Sequence, residues 1–362
     1  MSKDSTNATT VTQKVYKPAD VPFVGDTLPK LRAAAVQTSP VFLDREATID
    51  KIAVKVKECK ENGADLVVFP ESFVPTFPYW CLYMPPVDMG PFHKRLYENS
   101  VAVPSPSFYR LANIARENKV YLCVGISEKS NDTTGTMWNS SLFFDREGNL
   151  IGHHRKILPT WGEKLVWAGG DGSSLGVHKT EIGNIGINIC GENSNPLALY
   201  SMAAQGEQVH IGLYPATWPT NRKNGDYYDC LRTRTCSHSF ASKVFSICSS
   251  ATLDEDAIEQ LSCGCEETAE WLRNNSYACT MITNCFGKEI SETFRDNQEG
   301  IAYADIDISA EINAKWIHDF YGAYQRFDIF QLSLNKAVQK PLMIYNDPHG
   351  VNEYIPYDEM EE

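Results

Sequence analysis

Residues 31–69, LRAAAVQTSPVFLDREATIDKIAVKVKECKENGADLVVF, contain a complete strand–helix–strand unit. Leu31–Gln37 is an apolar run of strand length. Asp44 stands where an N-cap carboxylate accepts from the first free helical N–H groups. Ile49, Ile52, Ala53, Val56 and Cys59 then keep the spacing of one helical face. Gly63 closes the helix, and Ala64–Phe69 is short and nearly all apolar, the pattern of a strand covered on both faces.

The alternation continues downstream. The spacing predicts a helix over 105–118, a strand over Val120–Gly125, and a hairpin of 139–145 and 150–154 around Arg146–Asn149. Strands follow at Asn184–Cys190, Val209–Tyr214, Val244–Ser249, 279–284 and 301–306, with helices over 196–205 and near 226–242. Strands alternating with helices indicate an α/β sandwich. No break in composition divides the series, so the reading is one domain over 31–335, an N-terminal arm over 1–30 and a C-terminal tail over 336–362.

Composition narrows the classes. With 362 residues and 43% hydrophobic side chains the chain has material for a large core. Its formal charge of −13 argues against a nucleic-acid backbone as partner. The apolar runs are too short for a membrane span, and the polar N-terminus has no signal-peptide core. Eleven scattered cysteines without CxxC pairs read as reduced thiols of a cytoplasmic protein. Cys263 and Cys265 are too close for an ordinary zinc pair and have no histidine cluster beside them. No metal and no organic cofactor is expected.

Three residues with chemical potential follow apolar strands, where α/β proteins place chemistry. Glu71 follows Phe69-Pro70, and partial burial there would raise its pKa towards a usable base. Lys156, in His153-His154-Arg155-Lys156, precedes an apolar-proline stretch and is placed to point inward, where an ammonium stabilises an oxyanion or lowers a thiol pKa. The two adjacent histidines should face opposite sides of the strand, so they cannot readily share a metal. Cys190, in Gly186-Ile-Asn-Ile-Cys190-Gly191-Glu192-Asn193, sits at a strand-to-helix bend resembling a nucleophile elbow.

Glu71, Lys156 and Cys190, each in its own motif, resemble the nitrilase superfamily of carbon–nitrogen hydrolases. The resemblance covers about 31–335 and is closest to the nitrilase branch in FPESFVPTFPYW (69–80), HRKILPTWGEKLVWAGGDGSSL (154–175) and GINICGENSNPLALYSMAAQGEQVHIGLYPATWP (186–219). It implies Cys190 as nucleophile, Glu71 as general base, Lys156 as the cation on the tetrahedral intermediate, and Glu163 as a further glutamate beside them. It also implies an α-β-β-α sandwich, extended across a homodimer to α-β-β-α-α-β-β-α, with higher oligomers or spirals.

The implied reaction takes a small-molecule nitrile and water to a carboxylic acid and ammonia, through a Cys190 thioimidate and then a thioester. Lys156 and the Gly191 N–H are the expected donors to developing negative charge. Gly191 departs from the tryptophan usual after the nucleophile, which puts substrate range in question. Among the aromatics near Glu71 and beyond, Tyr79 and Trp161 are candidate substrate residues, alongside Phe73, Phe77, Trp80 and Trp218. The alternatives are an amidase or carbamoylase using the same residues, and an inert filament-forming relative.

Overall fold

A computed structural model describes residues 27–218, 227–275 and 277–339. Most of the expected arm and tail, and residue 226 at the expected helix start, lie outside the described residues.

The first sheet is built from β1 (Lys30–Gln37), β2 (Leu66–Val68), β3 (Val101–Ala102), β4 (Tyr121–Lys129), β5 (Met137–Phe144) and β6 (Leu150–Arg155). The second contains β7 (Val177–Thr180), β8 (Gly183–Ile189), β9 (Val209–Tyr214), β10 (Phe245–Ser250), β11 (Cys279–Thr283) and β12 (Phe294–Arg295). The chain then returns to the first sheet with β13 (Gly300–Asp307), antiparallel to β1. The orders are β13-β1-β2-β4-β5-β6, with β3 beside β4, and β12-β11-β10-β9-β8-β7.

Side-chain alternation along the strands separates the layers. Ala34, Val36, Val67, Leu122 and Val124 face outward onto α1 (Arg45–Glu61) and, after α2 (Gly90–Asn99) in the chain, α3 (Pro106–Asn118), meeting Ile49, Ile52, Val56 and Leu111. Their neighbours Ala33, Ala35, Leu66, Val68 and Cys123 face the second sheet and meet Ile185, Ile187, Val209, Ile211 and Ile247. Beyond that sheet lie α4 (Pro196–Ala204) and α5 (Tyr227–Ser242), with Tyr227, Tyr228 and Leu231 packed on Ile189, Tyr214 and Cys248. The layers are therefore α-β-β-α, as the sequence led one to expect. Asp44 caps α1 by accepting from Ala47 N at 3.0 Å.

Two helices absent from the sequence reading, α6 (Glu255–Ser262) and α7 (Glu266–Asn274), join β10 to β11. Their turn contains Cys263 and Gly264, both at positive φ, and the exposed Cys265. This cysteine pair is turn chemistry between short helices.

Candidate active site

Glu71 leaves β2 through a bend pressed against β4. A Cβ on Gly125 would stand 2.2 Å from Pro70 O and 2.8 Å from Glu71 Cα, so only glycine lets the two backbones meet there. The Glu71 carboxylate is buried, and its Oε1 accepts from Asn139 Nδ2 at 2.6 Å and Lys156 Nζ at 3.0 Å. Its Oε2 has no partner. That oxygen is free to take a proton.

Lys156 follows β6 and is held by backbone bonds on both sides: its N donates to Asn139 O, and its O accepts from Gly170 N, each at 2.8 Å. Those bonds turn the side chain inward, where it is 1% exposed. Nζ donates to Glu71 and to both oxygens of Glu163, at 3.0 and 2.7 Å. Glu163 Oε2 also accepts from Thr160 N at 2.9 Å, which fixes the carboxylate to its own turn. One buried cation thus bridges two buried carboxylates.

Cys190 follows β8 at φ 50°, a left-handed bend unusual for a side-chain-bearing residue, and is 4% exposed. Glu192 ties this bend to the lysine segment: its Oε2 accepts from Ile189 N (2.8 Å) and contacts His154 Nε2 (2.9 Å), while its Oε1 accepts from Ile157 N (2.7 Å). His153 turns the other way, onto Glu128 Oε2 at 2.8 Å, so the adjacent histidines do face opposite sides. Asn195 caps α4 by accepting from Leu197 N.

The electrostatics differ in one respect from the sequence expectation. Burial first, then the Glu71 charge, hold the Cys190 thiol well above its ordinary value; Lys156 pulls it down without prevailing. Burial also raises Glu71, to about 7, against the pull of Lys156 and with the help of the Glu163 charge. For Lys156, burial disfavours the charge, but Glu71 and then Glu163 outweigh it and the ammonium is reinforced. The resting site is a thiol beside a weakly basic carboxylate and a firm cation.

The other sequence candidates are spread around this centre. Gly191 directly follows the thiol, and a Cβ there would meet Thr160 Oγ1 at 3.0 Å. Tyr79 is buried, its hydroxyl accepting from Ala216 N at 2.9 Å and its ring 5.0 Å from Phe77. Phe77 lies 6.3 Å from Trp218, which lies 6.4 Å from Trp161, 65% exposed. A line of rings therefore runs from the surface inward to Tyr79. Phe73 instead packs into the core under the first helix layer, with Val36 and Ile126.

Sequence reasoning did not find Asn139, Asn193, Tyr227 or Arg234. Tyr227 packs in the cluster that holds Cys190 and Ile189, and its buried hydroxyl has no partner. The Arg234 charge reaches Cys190 from α5. Asn139, Tyr227 and Arg234 lie outside the three quoted motifs and reach the site through the fold, whereas Asn193 lies inside the cysteine motif, where only the nucleophile drew attention.

The description "Carbon-nitrogen hydrolase" belongs to the family model that matches residues 32–315. This chain belongs to that family, within the nitrilase superfamily. Among curated proteins it is 36% identical over 335 residues to the nitrilase of Bacillus sp. (strain OxB-1), covering 92% of this chain and 96% of that one. It is 32% identical to an aliphatic nitrilase of Rhodococcus rhodochrous, covering 86% and 84%. Among solved structures, a carbon–nitrogen hydrolase from Helicobacter pylori G27 superposes with TM-score 0.67 at 19% identity, covering 83% of this chain and 97% of the other.

Proposed function

We propose that this chain is a nitrilase, a hydrolase of carbon–nitrogen bonds that converts an organic nitrile to its carboxylic acid and ammonia. The observation that carries the reading is the buried Glu71–Lys156–Glu163 cluster beside a cysteine held on a left-handed bend, in a chain whose curated relatives are nitrilases.

Glu71 accepts the Cys190 proton as the thiolate attacks the nitrile carbon. Glu71 passes that proton to the nitrile nitrogen, which gives a covalent thioimidate and leaves Glu71 ionised again. Water then loses a proton to Glu71 and adds to that carbon, and ammonia leaves with a proton returned by Glu71. A second water cleaves the resulting thioester, releasing the acid and restoring the thiol. Lys156 and the Gly191 N–H donate to the negative charge that develops, each worth about 3–4 kcal/mol on the scale of oxyanion donors. The unpaired Tyr227 hydroxyl is a further donor available to substrate. Glu163 holds Lys156 in place and keeps Glu71 basic. Tyr79 forms the inner end of the ring line, and Trp161 its rim.

The catalytic unit of this reading is 31–335, flanked by the arm and tail. It pairs with a second copy through the outer helix layer, where Leu197 on α4 and Phe240 on α5 are each about three-fifths exposed. It works in a reducing compartment such as the cytoplasm, since all eleven cysteines are free. No helix among the described residues is long and apolar enough to cross a membrane.

The test is ammonia release from aliphatic, aromatic and arylaceto nitriles and from the matching amides, run beside Cys190→Ala. Nitrile turnover that disappears in the variant supports the proposal. Turnover of amides alone would replace it with an amidase, and no turnover in the parent protein would end it.

A further inference from the structure

Behind the nucleophile lies a chain of buried polar groups that the reaction above does not use. Glu207 precedes β9, His210 lies on it, and His238 is on α5; none of their side chains exceeds 4% exposure. Glu207 Oε1 meets His210 Nδ1 at 2.7 Å, and its Oε2 meets His238 Nε2 at 2.8 Å. A Cβ on Gly186 of β8 would overlap Glu207 Oε1 at 1.8 Å, so the strand leaves room for this carboxylate by carrying no side chain there. His210 Nε2 contacts Asn193 Oδ1 at 2.6 Å, and Asn193 Nδ2 donates to Cys190 O at 3.1 Å.

Donor and acceptor rules fix the proton positions along this chain. The Asn193 group beside Cys190 O also faces Asn188 O at 3.5 Å. Two carbonyls demand a donor, so the amide nitrogen belongs on that side and the amide oxygen faces His210. His210 must then donate through Nε2 to Asn193 and through Nδ1 to the carboxylate. A ring that donates at both nitrogens is an imidazolium. His238 is different: its Nδ1 lies 3.2 Å from Ser242 Oγ, which can supply the proton, so that ring satisfies its neighbours when neutral. Glu207 is held well below the usual carboxylate range: burial raises it, but the His210 charge and the hydrogen bonds from both histidines outweigh burial.

Glu207, His210 and His238 are also the one group among the described residues with atoms close enough to share a metal ion. Their contacts speak against it. Ligands around zinc at roughly 2.0–2.1 Å stand about 3.3 Å apart in a tetrahedron, whereas both Glu–His contacts here have hydrogen-bond lengths.

We propose that Glu207, His210 and Asn193 are positioning residues for the nucleophile. The buried carboxylate keeps His210 doubly protonated, His210 orients the Asn193 amide, and that amide holds the Cys190 carbonyl. The left-handed bend that presents the thiol to Glu71 and Lys156 is thereby fixed from behind. This deepens the nitrilase reading and rests on it only for the kinetic readout.

The experiment compares His210→Gln, Asn193→Ala and the double variant with the parent protein. Two readouts are used: steady-state nitrile hydrolysis, and the rate at which iodoacetamide alkylates Cys190, followed by peptide mass spectrometry. Misplacing a reacting group by about 1 Å costs on the order of 10²-fold. Each single variant should lose kcat on that scale with KM within about twofold, and alkylation should slow in step. The double variant should lose no more than the worse single, because both act through one chain. Long-range proton–nitrogen spectra, assigned by their loss in His210→Gln, should show protons on both His210 nitrogens.

The proposal is overturned by a bare nitrogen on His210, by multiplying losses in the double variant, or by unchanged alkylation in a folded Asn193→Ala protein. A stoichiometric divalent ion in the purified protein, whose chelation reproduces the loss, also overturns it. If the parent protein hydrolyses no nitrile, the function fails, while alkylation and spectra still judge the relay.

Discussion

Replacing Glu163 by glutamine removes one negative charge from a site shielded from bulk solvent, since Glu71, Lys156 and Glu163 are each at most 1% exposed. Lys156 Nζ stands 3.0 Å from Glu71 Oε1 and 2.7 Å from Glu163 Oε2, so these oxygens are no more than about 6 Å apart. At an effective dielectric constant of about 20, two unit charges at that distance repel by about 2.8 kcal/mol, or about 2 pKa units. The sign follows directly. The Glu163 charge raises Glu71, so its removal lets Glu71 deprotonate at lower pH. The acid limb of kcat/KM, which reports the free enzyme, should move from near 7 towards 5. The plateau should fall as well, because a less basic Glu71 is a poorer acceptor for the thiol proton. The assay is kcat/KM for one good nitrile from pH 4.5 to 9, with Glu163→Asp as the charge-preserving control. The control should keep its limb whatever it loses in rate. An acid limb in Glu163→Gln that coincides with the parent's refutes the electrostatic role assigned to Glu163.

Tyr227→Phe should lower kcat/KM about tenfold, the worth of one hydrogen bond to substrate, without loss of Tm, because the deleted hydroxyl is buried and unpaired; unchanged kinetics would show that it does not reach substrate. Gly191→Ala puts a methyl 3.0 Å from Thr160 Oγ1, so it should slow turnover, and Thr160→Ala should recover most of the loss; independent effects of the two changes would rule out that contact. Glu128 is held down to about 2 by His153 and Arg155 despite its burial. Its stabilisation of about 3 kcal/mol is present above pH about 4.5 and is lost as pH falls towards 2. Glu128→Gln should therefore destabilise the protein at pH 7 in urea unfolding, with the gap to the parent closing on acidification; a gap independent of pH would contradict this.

The sequence displayed the layers because strands covered on both faces and the helices that cover them leave different periods in it. Leu66-Val67-Val68 is apolar throughout, since Val67 faces the helices and its neighbours face the other sheet. The short helices α6 and α7 were harder to read. Asp254 caps α6 through Ala257 N at 2.9 Å, yet its buried apolar face is Ala257, Ile258 and Leu261, too brief to establish a period. The same division applies to the site. Glu71, Lys156, Glu163 and Cys190 stand in recognisable motifs, whereas Asn139, on β5, binds a carboxylate that follows β2, and Tyr227 begins α5 well outside any of the quoted motifs. Their contribution comes from tertiary approach, to which local spacing is blind.

A raised thiol pKa would defeat a cysteine that had to surrender its proton to water. Within the proposed reaction the proton goes to Glu71, itself raised to about 7 by the same burial. A thiol and a carboxylate become a thiolate and a carboxylic acid, so the buried site holds the same net charge before and after. Only the place of the negative charge changes, and Lys156 faces it in both arrangements. Desolvation penalises both anions and therefore largely cancels from the difference between them. What remains is set by the cation and by the second carboxylate that keeps Glu71 basic. Burial thus raises the thiol and its acceptor together and leaves the proton transfer between them open, provided that Glu163 carries its charge.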